Sequence, residues 1–338
     1  MSDNKESSQL LFMAQLKNTL PPHISVVDEI ADLLEISNDS AYRRMRGETA
    51  LTIEEIALIC KKFNISFDTF IQQQDSSYVN FRYNPMGIQN TGFKEYFKGM
   101  LADLQKVAKC EEKSIIFAAE DVPVFHHFAF SELTSFKMFY WNKSIMNATG
   151  FEDKKFNLDS IDFELKDIAK DILQTYSFIP SIEIWSDDTV NSTFKQIEFY
   201  WESGIFQSKE TALLICEQVG KVIDRIKLQA EMSAKIGLNG EKIGKENSYL
   251  LYQSDVMIGN NCVLVETSGN KSTYLSYHTF NTILTTHENF CNETEFWLKN
   301  LIKKSNLISG VAEKNRYRYF KKIEDTLAKL VEKIGNDL

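Results

Sequence analysis

The chain has 338 residues, is 43% hydrophobic with 24 Phe and 13 Tyr, and carries a formal net charge of −9. That is enough apolar material for about two globular domains, while the acidic balance argues against broad binding to nucleic acid or anionic membranes. No run approaches the ~18 continuous apolar residues of a membrane span, and the polar start MSDNKESSQ lacks the apolar stretch of a signal peptide, so a cytoplasmic protein that contacts no membrane is expected.

The first predicted element is a helix carrying Leu10, Leu11, Met13, Ala14, Leu16 and Leu20, ended by Pro21-Pro22. Ser25 with Asp28 resembles a capping box and starts a second helix, whose apolar face is Val26, Val27, Ile30, Ala31, Leu33 and Leu34. Ser37-Asn38 breaks it and caps a third. There Ala41 and Met45 sit four apart and face inward, leaving Asn38, Asp39, Tyr42, Arg43 and Arg46 outward. Gly47 can take the left-handed conformation that ends a helix. Thr52 with Glu55 is a better capping box, and Ile53, Ile56, Ala57, Ile59, Cys60 and Phe63 supply the next apolar face. Ser66 caps a last turn carrying Phe67 and Phe70. Residues 1–75 therefore read as an all-α domain of five helices.

This pattern resembles the phage-repressor type of helix-turn-helix, the XRE-like family, and the remaining chain looks similar to regulators of Bacteroidota-type bacteria that carry this same SAYRR-type helix. Ala31 falls where the family keeps a small residue, Ser37-Asn38-Asp39-Ser40 at the turn and the start of the recognition helix, and Gly47 and the Thr52–Phe63 helix match as well. The resemblance implies that Asn38, Asp39 and Arg43 reach base edges of double-stranded DNA, that Tyr42, Arg44 and Arg46 lie near its backbone, and that Ser40 and Thr52 belong to the same DNA-binding surface. Glu35 stands where the family often has glycine, and Arg44 where it usually buries an apolar residue. Three arginines on a short helix also describe an ordinary solvated face. Residues 1–75 hold seven Lys/Arg against twelve Asp/Glu, a balance of −5, so capping and spacing carry the DNA reading more than charge does.

The polar run Gln72–Ser77 and the turn-rich Tyr83-Asn84-Pro85-Met86-Gly87 set a linker at 76–92. Residues 93–338 then read as an α+β domain with an antiparallel sheet. Helices are predicted over 93–110, 131–146, 161–178, 188–203 and 209–236, and short strands over 114–118 and 181–185. Three β-rich runs at 249–258, 262–267 and 272–278, separated by Gly259-Asn260-Asn261 and Ser268-Gly269-Asn270-Lys271, predict an antiparallel meander. Two helices close the chain. In the last, Phe320, Ile323, Leu327, Leu330 and Ile334 form either an internal packing stripe or a dimer seam.

Chemical motifs are sparse. His126-His127, read as neighbours on a strand, would point to opposite faces and make a poor metal pair. Gly240–Lys245 has three residues between its glycines where a phosphate loop has four, and it follows a helix. Asp187-Asp188 reads as a helix cap, and Trp141, Trp185 and Trp201 as core or as walls of a ligand pocket. Five scattered cysteines without a C-x-x-C pair read as reduced core thiols. No catalytic residue, metal or cofactor is expected, and no enzymatic activity. The expectation is a homodimeric, sequence-specific transcriptional regulator whose C-terminal domain dimerises and is a candidate sensor of a small molecule. The alternative is a protein-interaction module, such as an antitoxin or phage-defence component, that only regulates itself.

Overall fold

The computed structural model describes residues 7–19, 25–63, 65, 67, 78–83, 92–160, 162–277 and 281–337. Leu20, Pro21-Pro22, Ser66, Phe70, the Gln72–Ser77 run, Asn84–Gly87 and His278 lie outside them. The chain divides into two compact units, Met1–Asn80 and Phe81–Leu338.

In the first unit the described helices are α1 (Ser8–Thr19), α2 (Val26–Leu34), α3 (Asn38–Met45) and α4 (Ile53–Phe63). Their core is Phe12, Met13, Leu16, Val26, Ile30, Ala31, Ala41 and Ile59. The caps follow the sequence. Ser25 accepts from the Asp28 amide and Ser37 from the Ser40 amide, while Thr52 and Glu55 form a reciprocal box of 3.0 and 3.2 Å. The apolar face of α4 is narrower than expected, because Ile53 and Ala57 are exposed and Ile56, Ile59, Cys60 and Phe63 make the inward stripe.

Among the described residues, the second unit is built on one eight-stranded sheet. Its strands are β1 (Arg82–Tyr83), β2 (Lys113–Ala119), β3 (Ser181–Trp185), β4 (Tyr249–Gln253), β5 (Cys262–Thr267), β6 (Asn270–Tyr277), β7 (Asn281–Thr285) and β8 (Asn306–Leu307). They run in the order β1-β7-β6-β5-β2-β3-β4-β8. The expected antiparallel sheet is corrected here: β2-β3 and β3-β4 pair in parallel, and the remaining ladders are antiparallel. The meander is β5-β6-β7, so the run at 249–253 is no part of it and β7 is an added strand.

The parallel trio dictates the layers. The chain leaves β2 through α6 (Val124–His127), α7 (Ser131–Tyr140), a π-turn at Trp141–Ile145 and α8 (Phe163–Ser177), and reaches β3. It leaves β3 through α9 (Asn191–Glu202) and α10 (Lys209–Met232) and reaches β4. Two crossovers progressing in one direction share a face when both are right-handed, and both contribute to the same large core. Strand alternation assigns Ile115, Phe117 and Ala119 of β2 to that core, with α5 (Gly92–Lys109) and α12 (Glu313–Asn336) also packed into it. Ile116 and Ala118 face the opposite side, where α11 (Glu288–Lys303) covers them with Cys291, Leu298 and Leu301. The α12 stripe is consumed internally, since Phe320, Ile323, Leu330 and Ile334 are all buried in the large core. Gly220 allows the close approach of α10 to α12, because a Cβ there would meet Leu327 at 3.3 Å. No helix among the described residues is long and apolar enough to cross a membrane.

Candidate functional site

The turn from α2 to α3 spans Glu35, Ile36 and Ser37, and Glu35 is left-handed at φ 53°, which explains why glycine suits this position. Ser37 then caps α3 from extended backbone. Ala41 is buried and Met45 half-buried, so Asn38, Asp39, Tyr42, Arg43 and Arg46 are exposed along one side. Asn38 donates to Asp28 (3.0 Å), the half-buried Ser40 shares a hydroxyl contact with Ser37 (3.0 Å), and the Arg46 guanidinium lies 4.8 Å from the Tyr42 ring centre. Arg43 and Arg46 approach Glu48 only to 3.8 and 3.7 Å, exposed pairs of little energetic weight.

Arg44 differs from its neighbours. Its guanidinium binds Glu55 through three contacts of 2.7–3.2 Å and reaches the Ser40 carbonyl, with both partners only 16% exposed. The Arg44 hydrogen bonds hold the Glu55 carboxyl below its usual range. Thr52 is exposed and supplies the other half of the Glu55 box. Gln9 of α1, which no local pattern singles out, fastens the loop after α3: it donates to the carbonyls of Arg44 and Thr49 and accepts from the Leu51 amide. Gly47 closes α3 at φ 72° beneath Leu10. A short helix with a polar, arginine-bearing outer face is thus clamped at both ends.

The second unit has two polar centres inside its large core. On β3, Glu183 is completely buried and accepts from His126 Nε2 (2.8 Å), Tyr176 (2.8 Å), Trp185 Nε1 (3.0 Å) and Tyr249 (3.1 Å). Lys235 lies beside it, 3.4 Å from the Tyr176 ring centre. The adjoining cavity, about 10 Å³, has room for one water. Burial pushes the Lys235 ammonium down to about 7 against the attraction of Glu183. Its folded pKa is below the unfolded one, so stability should rise with pH from about 7 towards 10 as the folded protein sheds this proton first. Lys235→Met should flatten that rise, by up to roughly 2 kcal/mol between pH 7 and 9 in urea unfolding. An unchanged slope would refute the assignment.

The second centre is Lys137, buried on α7 among Thr193 (3.0 Å), Gln196 (3.0 Å) and Asp121 (3.6 Å). Burial lowers its pKa, with Asp121 opposing. His127 lies next to it. The histidine pair is thus on the helical turn α6, not on a strand, and both rings are buried. Asp188 accepts from the Asn191 side chain and Asp187 from Lys322 and Gln253, so neither caps α9 as expected; the cap position is Val190. Trp141 lines a cavity described below, Trp185 serves Glu183, and Trp201 donates to Asp337. Among the described residues, no cluster of three His, Cys, Asp or Glu is placed to hold a metal ion.

The first unit is helical and carries a helix-turn-helix arrangement in α2 and α3. Residues 12–96 match the family model of the BetR domain, a DNA-binding domain of helix-turn-helix type, and the match begins inside α1 and ends inside α5. No curated protein and no solved structure matches the chain.

Proposed function

We propose that this protein is a sequence-specific, DNA-binding transcriptional regulator that works as a homodimer in the cytoplasm and responds to a small ligand through the Phe81–Leu338 unit. The observation that carries the reading is α3, a clamped helix whose outer face presents Asn38, Asp39, Tyr42, Arg43 and Arg46, within a region that matches the BetR domain. Asn38, Asp39 and Arg43 read base edges; Ser40, Tyr42, Arg46 and Thr52 lie against the backbone. Arg44 acts from inside the domain by fixing α4 against α3. The XRE-like resemblance supports the same polarity of docking. Dimerisation follows from specificity: one short recognition helix reads few bases, and two half-sites about a helical turn apart multiply the discrimination. The covered stripe on α12 leaves the dimer seam to another surface. No reaction is assigned, since Glu183, the most elaborate polar centre, is sealed in the core.

The test is selection of duplexes from a random pool by the full-length protein, followed by measurement of complex stoichiometry. A pseudo-palindromic site bound by two protomers is expected. Failure to enrich any duplex, together with a small protein that co-purifies in fixed ratio, would overturn the reading in favour of an interaction module.

A further inference from the structure

Between α5 and the sheet lies a cavity of about 170 Å³, walled by Met100, Leu104, Phe117, Val263 and Leu284. A cavity of ~150 Å³ holds one benzene ring, so this one fits a single substituted ring. His127 lines it and is 2% exposed, and its Nδ1 has no hydrogen-bond partner among the described residues. Such a group costs stability until something pairs with it.

Its hydrogen-bonding sense turns on the Thr193 hydroxyl. Lys137 Nζ has only protons to give, so Thr193 Oγ1 accepts from it at 3.0 Å. We assign the Thr193 hydroxyl proton to His127 Nε2 at 3.5 Å, which leaves the ring proton on Nδ1; the opposite tautomer would make Nδ1 an acceptor. Burial, with Lys137 and His126 nearby, drives the His127 pKa well down, in keeping with a neutral ring. The charges at the site are matched. The three protons of Lys137 face Thr193, Gln196 and Asp121, and at the rim Arg82 pairs with Asp103 at 3.2 Å.

We propose that this cavity binds a small, uncharged, largely apolar molecule about the size of one substituted ring, whose carbonyl oxygen accepts a hydrogen bond from His127 Nδ1. This names a site for the ligand response proposed above and rests on that reading only for its consequence. The cavity is lined by Arg82 of β1 and by Tyr96, Gly99 and Asp103 of α5, the first elements of the second unit in the chain. An occupant therefore touches the segment through which the chain arrives from the DNA-binding unit.

The test uses full-length protein and three probes, acetophenone, ethylbenzene and benzoate, followed by calorimetry or ligand-detected NMR. Acetophenone should bind one per protomer, about tenfold more tightly than ethylbenzene, and benzoate should not compete. His127→Phe should erase the preference for acetophenone while ethylbenzene still binds. Gly99→Phe should block both. A Cβ at Gly99 meets nothing within 4 Å, so the helix backbone accepts a side chain there, and the variant's thermal transition checks that it folds. Preferential binding of benzoate, no binding of acetophenone, or acetophenone binding unaltered in both variants would each overturn the site. Binding of acetophenone with no change in affinity for the selected duplex would retain the site and overturn the ligand response.

Discussion

Glu183→Ala is expected to lower the unfolding free energy of the Phe81–Leu338 unit by about 3–5 kcal/mol. The carboxylate sits on the middle strand of the parallel trio and serves four donors from separate parts of the chain: His126 on α6, Tyr176 on α8, Trp185 on its own strand and Tyr249 on β4. Deleting it strands those donors inside the core and leaves Lys235 without its counter-charge. Glu183→Gln should cost less, because one acceptor oxygen survives, although its amide protons then face donors. Burial raises the Glu183 pKa, but His126 above all, then Lys235 and Tyr176, bring it below the usual carboxylate value. A depressed folded pKa contributes stability above the ordinary carboxylate range, and that contribution is lost as pH falls through the lowered value. The wild type should therefore weaken on acidification, and Glu183→Gln less so. Urea unfolding at pH 7 and pH 4, followed by tryptophan fluorescence, measures both effects. A loss under about 1 kcal/mol in Glu183→Ala at pH 7 would show that the cluster does not hold the trio together.

The same residue shows why part of the fold was legible and part was not. Ser-Ile-Glu-Ile-Trp reads as a strand, but a glutamate at its centre reads as a solvent-facing position, and apart from Trp185 its donors Tyr176, His126 and Tyr249 lie 7, 57 and 66 residues away. Strand positions came through because β-branched and aromatic runs are local. Partner choice did not: Gly259-Asn260-Asn261 marks a turn, yet the strand before it pairs with β3 and β8, not with β5. The apolar run Tyr249–Leu251 was the available hint, since strands of a parallel group are covered on both faces. The helix-turn-helix was legible for the converse reason. Its Ser37 cap, Thr52–Glu55 box and Gly47 terminator act over three or four residues. The contacts that clamp it, Gln9 to Arg44 and Arg44 to Glu55, span 35 and 11 residues and leave no periodic trace. Lys137, alone in Phe136-Lys137-Met138-Phe139, was a signal of a buried charge.

Neighbouring arginines on α3 should separate binding from stability. Arg43→Ala should weaken binding to the selected duplex by about 1–3 kcal/mol, roughly 5- to 150-fold, with the thermal transition unmoved. Its side chain is 57% exposed, and its ion-pair partner among the described residues is Glu48 at 3.8 Å, so little in the fold depends on it. Arg44→Ala should do the reverse. Its guanidinium bridges Glu55 and the Ser40 carbonyl at 16% exposure, so removal leaves a half-buried carboxylate that keeps the Thr52 amide but loses its counter-charge, and costs about 1–3 kcal/mol of the stability of the Met1–Asn80 unit. DNA affinity in that variant should fall only as far as the folded fraction falls, and should recover on cooling. The salt dependence separates them again. An Arg43 contact to a base leaves the slope of log K against log salt nearly unchanged, whereas a phosphate contact reduces it by about 0.9. Thermal unfolding and fluorescence anisotropy on the three proteins decide the matter. Full-strength binding by Arg43→Ala would remove its base-reading role, and loss of binding by a fully folded Arg44→Ala would return that residue to the DNA surface.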